Sequence, residues 1–102
     1  MVVAGDGAVY PSDSNVVQIH YVAAREDGEP FDSTRDRGRP FSFRIGEEQV
    51  IKGLEEAVKQ MSLGEQVTAV IPASLAYGSK GFPGKVPPNM GLVFDIELLS
   101  IS

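Results

Sequence analysis

The chain is predicted to be α+β, an antiparallel sheet of about five strands packed on one short helix, and three observations predict it. Apolar and polar residues alternate with period two over four separated stretches. Between the second and third of these the spacing changes to that of a helix with a single buried stripe. Strands are never separated by repeated helices, which argues against a parallel βαβ layout.

The first alternation sets Val17, Ile19, Tyr21 and Ala23 against Val16, Gln18, His20 and Val22, giving a strand with one fully apolar face and one mixed face. Glu26-Asp27-Gly28-Glu29 closes it, Asp-Gly being a strong turn signal. Phe41, Phe43 and Ile45 alternate with Ser42 and Arg44 in a second strand. Leu54, Ala57, Val58 and Met61 fall on one helical stripe, and Gly64 is expected to end that helix. Val67, Ala69 and Ile71 form a third strand, stopped by Pro72, which cannot donate to a ladder. Leu92, Phe94, Ile96 and Leu98 form the last.

Two stretches read as loops. Ser33 to Pro40 is charged, and Tyr77 to Asn89 carries three glycines and three prolines, which rule out regular structure. A long irregular loop carrying exposed aromatic and apolar residues in a small domain is more often functional than idle.

At 102 residues the chain is the size of one domain, for which one hydrophobic core is enough. Nine basic against 14 acidic residues give a net charge of −5, and Asp36 interrupts the one basic cluster, Arg35, Arg37 and Arg39. Nucleic acid is therefore not an expected partner, since neutralising phosphates needs a concentrated basic face. There is no cysteine, hence no disulfide framework and no thiolate metal site. No stretch has signal-peptide character or membrane-spanning length, so the expectation is a soluble, monomeric, cytoplasmic protein that does not engage membranes.

The residue types that most enzymes need are missing. His20 sits in mid-strand with no cysteine or serine elbow beside it and reads as structural. Glu47-Glu48 and Glu55-Glu56 are adjacent in sequence, diverge in direction and read as solvated. Gly5-Asp6-Gly7 is not a dinucleotide fingerprint, and no phosphate-binding GxxxxGK[ST] occurs. Neither a metal nor a cofactor is expected. What remains is a set of aromatic residues, Tyr21, Phe31, Phe41, Tyr77, Phe82 and Phe94, accompanied by sparse polar groups such as Asp32 and Arg37. That set suggests an apolar cleft.

Four segments carry a family resemblance: Phe31-Asp32-Ser33-Thr34, Val50-Ile51-Lys52-Gly53-Leu54-Glu55-Glu56, Ala76-Tyr77-Gly78 and Leu92-Val93-Phe94-Asp95-Ile96-Glu97-Leu98-Leu99. In order and spacing they resemble the FK506-binding proteins, the FKBP-type peptidyl-prolyl cis-trans isomerases, from about Val16 to the end. The resemblance implies a single domain over 1–102, with the sheet curled round the helix and a pocket between them. It implies rotation of X-Pro bonds in polypeptides and binding of macrolides such as FK506 and rapamycin.

Carried over by position, Tyr21, Phe31, Asp32, Phe41, Val50, Ile51, Tyr77 and Phe94 match the pocket, and Arg37 matches the arginine bracing its polar edge. By implication Ile51 offers a backbone N–H, Gln49 a backbone carbonyl and Tyr77 a hydroxyl to the bound chain. Phe82 and Val86 belong to a loop overhanging the site, where a protein partner can dock. Tyr21, Phe31, Asp32, Phe94 and Tyr77 form the implied catalytic set. Asp32 either holds Arg37 and Tyr21 or orients a polar group at the mouth. By pattern alone Phe41 and Phe43 are both core residues, and only Phe41 is moved to the pocket by its context.

Two positions depart from the family. Leu54 stands where tryptophan is usual at the pocket floor, so activity and macrolide affinity are expected to be reduced, and Lys85 puts a charge where the loop is often apolar. The same residues are also compatible with a binding, adaptor or chaperone module of weak activity whose pocket and Phe82 loop hold a partner.

Overall fold

Val16–Arg25 (β1) is the strand around which the others are arranged. Its inward residues Val17, Ile19, Tyr21 and Ala23 are all buried, as their alternation with more polar neighbours requires. The structure, a computed structural model, describes residues 4–102. Along one edge β1 pairs antiparallel with Leu92–Ile101 (β5) from Val17↔Ile101 to Arg25↔Leu92, with a register shift between Gln18 and Ile19. Its other edge meets two short strands in turn. Phe41–Arg44 (β3) pairs with Val16–Ile19, and Pro30–Ser33 (β2) pairs with Val22–Ala24. Gln66–Ile71 (β4) lies outside β5, so the order is β2-β1-β5-β4 with β3 beside the first half of β1.

Turn chemistry joins β1 to β2. Gly28 takes the left-handed conformation (φ +96°) that its missing Cβ permits, while Arg25 N–H bonds to the Glu29 carbonyl and Gly28 N–H to the Arg25 carbonyl, each at 2.9 Å. The β2 strand is not foreshadowed by any alternation, because four residues with Phe31 as their one large apolar side chain are too few to display a period.

Thr34–Arg37 (α1) is one helical turn inside the stretch expected to be a charged loop. Ser33 caps it by accepting from Asp36 N–H at 3.2 Å, and Gly38 ends it at φ +75°. So short an element carries no apolar stripe. Its anchor is Thr34, which is fully buried. The Thr34 hydroxyl accepts from Tyr21 N–H at 2.8 Å and lies 2.9 Å from His20 Nδ1, which gives the lone histidine a structural partner.

Lys52–Lys59 (α2) packs Leu54 and Val58 into the concave side of the sheet. Gly53 permits the approach: a Cβ there would lie 2.4 Å from Ile71 Cγ2. The helix is shorter than its apolar spacing implies. Gln60 and Met61 N–H bond three residues back, to the Ala57 and Val58 carbonyls, which tightens the last turn and ends it. Met61 reaches the core from non-helical backbone. Gly64, expected to end the helix, instead turns the chain toward β4 at φ +87°.

The glycine- and proline-rich stretch is irregular, as its composition demands, but it is tied together. Phe82 and Val86 form an isolated bridge through bonds of 2.7 and 2.8 Å, and Asn89 N–H bonds to the Gly78 carbonyl at 2.8 Å.

Candidate active site

A hollow of about 160 Å³ lies where β1, β2, β3, β5 and the start of α2 converge. Tyr21, Phe31, Asp32, Phe41, Gln49, Val50, Ile51, Leu54, Tyr77 and Phe94 line it, together with Ala23. Ala23 reads from the sequence as an inward strand residue and not as part of the site. It follows Tyr21 on the inward face of β1, so the alternation that places one places the other.

Aromatic edges and faces make the wall. The Tyr21 ring meets Phe41 edge-on at 6.0 Å between centroids and Phe94 at 5.5 Å with the planes tilted by 40°. Phe41 in turn stacks on Phe43 at 5.9 Å. Phe43 is core, buried behind the wall, whereas Phe41 reaches the hollow. Leu54, 3% exposed, is part of the lining from the first turn of α2. The Ile51 N–H, just before that turn, makes no hydrogen bond with any described residue.

The polar side is a small network. Tyr21 Oη donates to Asp32 Oδ2 at 2.6 Å, Arg37 pairs with Asp32 Oδ1, and Arg37 Nη2 lies 3.4 Å from the Tyr21 hydroxyl. The Arg37 guanidinium also sits 5.9 Å from the centroid of the Tyr21 ring. Arg37 thus reaches the site through Asp32 and Tyr21 and is not itself part of the lining. It is brought there by α1, the helical turn anchored by Thr34.

Burial pushes the Tyr21 phenol above its usual pKa, and the hydrogen bond to Asp32 adds to the shift. Burial would also raise the Asp32 carboxyl, but the bonds from Tyr21 and Arg37 and the arginine charge outweigh it and hold the pKa below the ordinary value. Tyr77 is raised by burial and by the Asp32 charge, and its hydroxyl makes no hydrogen bond among the described residues. Gln49 spends its side-chain oxygen on Arg44 N–H at 2.9 Å.

The two loop residues part company. Phe82 is 40% exposed and stacks on Tyr77 at 5.2 Å, one ring removed from the hollow. Val86, expected in the loop that overhangs the site, is buried in the core cluster and bridged to Phe82; it lines the neighbouring loop concavity and not the hollow. Among the acidic pairs, Glu55 is not simply solvated: it accepts from Gly46 N–H at 2.9 Å and holds the turn before α2.

This arrangement supplies an apolar, ring-walled hollow with donors at its rim. Its lining holds no serine, cysteine, histidine or lysine, and its one carboxylate, Asp32, is held below the ordinary range and bonded to Tyr21 and Arg37.

Comparison with known proteins gives a consistent picture. A model of the family described as FKBP-type peptidyl-prolyl cis-trans isomerase matches residues 7–99. The FK506-binding protein 1 of Yarrowia lipolytica is 51% identical over 98 residues, covering 96% of this chain and 91% of that protein. The Drosophila melanogaster peptidyl-prolyl cis-trans isomerase Fkbp12 is 46% identical over 97 residues, covering 95% and 90%. Among solved structures, FkpA from Escherichia coli superposes with a TM-score of 0.89 at 42% identity; the match takes in 100% of this chain and 46% of FkpA. A family match over nearly the whole sequence, with relatives about half identical along almost all of it, means that this chain belongs to the FKBP-type peptidyl-prolyl cis-trans isomerases.

Proposed function

We propose that the ring-walled hollow is where this chain speeds rotation about X-Pro bonds, and that it does so by withdrawing the amide from water. Rotation must cross a barrier of about 18–20 kcal/mol set by amide resonance. In the twisted transition state that resonance is lost, and the carbonyl carries less charge separation than in the planar ground state. Water therefore favours the planar form. A hollow that removes this water and fits the twisted shape lowers the barrier with no acid, base or covalent step.

On this reading Ile51 and Leu54 seat the proline ring, while Tyr21, Phe31 and Phe94 turn their positive ring edges to the rotating carbonyl. The Ile51 N–H and the Tyr77 hydroxyl, neither bonded to another described residue, are donors for the substrate backbone, and the Gln49 carbonyl is an acceptor. Asp32 acts by holding Tyr21 and Arg37 in place. One observation carries the reading: Tyr21, Ile51 and Phe94, 73 positions apart at the extremes, converge on one hollow whose lining holds no serine, cysteine or histidine.

FK506 and rapamycin are proposed ligands of the same hollow, with affinity lowered by the loss of the usual indole at Leu54. The reading takes the chain as a single monomeric domain working in the cytoplasm. A second reading, a docking module whose turnover is incidental, draws on the exposure of Phe82 beside Tyr77. A protease-coupled assay with an X-Pro tetrapeptide decides between them. Acceleration that is abolished by FK506 supports catalysis in the hollow, whereas FK506 binding without acceleration leaves the docking module.

A further inference from the structure

We infer that this chain selects X-Pro segments bearing an acidic side chain two or three residues from the proline, and that Lys80 and Lys85 recognise it. The inference rests on the isomerase reading of the hollow and names the substrate class that site prefers.

Beside the hollow the loop forms a second concavity of about 310 Å³, bounded by Arg25, Lys80 and Lys85 and by Pro83, Pro87 and Pro88. Three cations meet there in a chain whose net charge is −5. Arg25 is already answered by Asp27 at 2.8 Å. Lys80 and Lys85 form no ion pair with any described residue, and both are exposed, so the uncompensated positive charge of this face is theirs.

Two rings lead from the hollow to the charge. Tyr77 lines the hollow, its ring stacks on Phe82 at 5.2 Å, and Lys85 Nζ lies 5.7 Å from the Phe82 centroid. Three extended residues span about 10 Å. A chain with its proline seated in the hollow and running on past Tyr77 and Phe82 thus carries its next side chains toward Lys85, with Lys80 in the same concavity.

The charges are also held on a stiff frame. The Phe82–Val86 bridge closes the loop, Gly81 admits no Cβ because one would lie 2.4 Å from the Val86 carbonyl oxygen, and the three prolines restrict the backbone. Little order has to be gained when a carboxylate arrives. Both lysines remain in water, so the preference is modest and depends on salt.

The test uses two peptide series, with Glu, Gln or Lys placed three residues before or three residues after the proline, assayed on the intact chain. We expect kcat/KM in the order Glu, Gln, Lys in at least one series, with about three- to tenfold between the extremes at low salt. The spread should shrink at high ionic strength. In the double variant Lys80→Gln, Lys85→Gln, checked for an unchanged thermal midpoint, it should fall within about twofold. Equal rates for the three peptides in both series overturn the inference while leaving the isomerase reading intact, as does a preference that survives in the double variant. No acceleration of any peptide removes both.

Discussion

The Tyr21 hydroxyl donates to Asp32 Oδ2 at 2.6 Å, and through this bond a ring of the hollow's wall is fixed by a carboxylate on the neighbouring strand. Arg37 closes the arrangement from the other side of Asp32. The wall is therefore held by polar contacts at its rim as well as by apolar packing behind it.

Replacing Asp32 by Asn keeps the shape and removes the charge. The bond to Asp32 and its charge both raise the Tyr21 phenol, and the same charge raises Tyr77, so both tyrosines should titrate at lower pH in Asp32→Asn. Ultraviolet difference titration reads this directly. If Asp32 acts by holding Tyr21 and Arg37, isomerisation and ligand affinity should both fall, and further in Asp32→Leu. Unchanged activity and affinity in Asp32→Leu would remove that role.

The pH profile should be flat. Asp32 is held below the ordinary carboxylate range, and Tyr21, Tyr77 and Arg37 are all raised, so each is moved away from neutrality. We expect kcat/KM to change by less than about twofold between pH 5 and 9. Asp32 contributes stability that is present above its unfolded pKa of about 3.9 and is lost as pH falls through its lower folded value. Tyr21 behaves in the opposite sense, its contribution being present below the unfolded tyrosine pKa of about 10 and lost as pH rises through the raised folded value. A bell-shaped profile centred near neutrality would point to acid–base chemistry that the hollow does not offer.

Leu54→Trp should tighten macrolide binding. Leu54 lines a hollow of about 160 Å³, and an indole there restores a flat surface for a pipecolyl or prolyl ring. Aromatic contacts of this kind are worth about 0.5–1.5 kcal/mol beyond area, equivalent to roughly two- to tenfold in Kd. Titration with FK506, followed by fluorescence, measures it. No gain in a variant of undiminished stability would show that the floor does not limit affinity.

Gly53→Ala tests the seat of the helix. A Cβ at this position would meet Ile71 Cγ2 at 2.4 Å, so α2 and β4 must move apart. Overpacking of this kind costs about 1–3 kcal/mol, readable as a lower urea midpoint with little change in slope. Because Ile51 and Leu54 belong to the same segment, ligand affinity should fall as well.

The alternation at Val17, Ile19, Tyr21 and Ala23 made β1 and its buried face legible, and the stripe of Leu54 and Val58 did the same for α2. Both follow from the period each backbone imposes on side chains facing a core. Two four-residue elements escaped, unlike β3 with its alternating Phe41 and Phe43: β2 and α1 repeat no apolar spacing, and they exist because β1 and the buried Thr34 hold them. The helix end was misread because Met61 keeps the helical spacing although its backbone has left the helix.

Local order thus determined by itself the longer strands, the main helix and the irregular loop, and which of their faces are apolar, because those depend on neighbours within a few residues. Only the tertiary structure decided that Asp32 lies between Tyr21 and Arg37, that Phe82 stacks outside the hollow, and that Val86 joins the core cluster. Such relations join residues through strand pairing and loop closure. The separations involved carry no periodic signal, and the contacts arise only once the whole sheet has closed round α2.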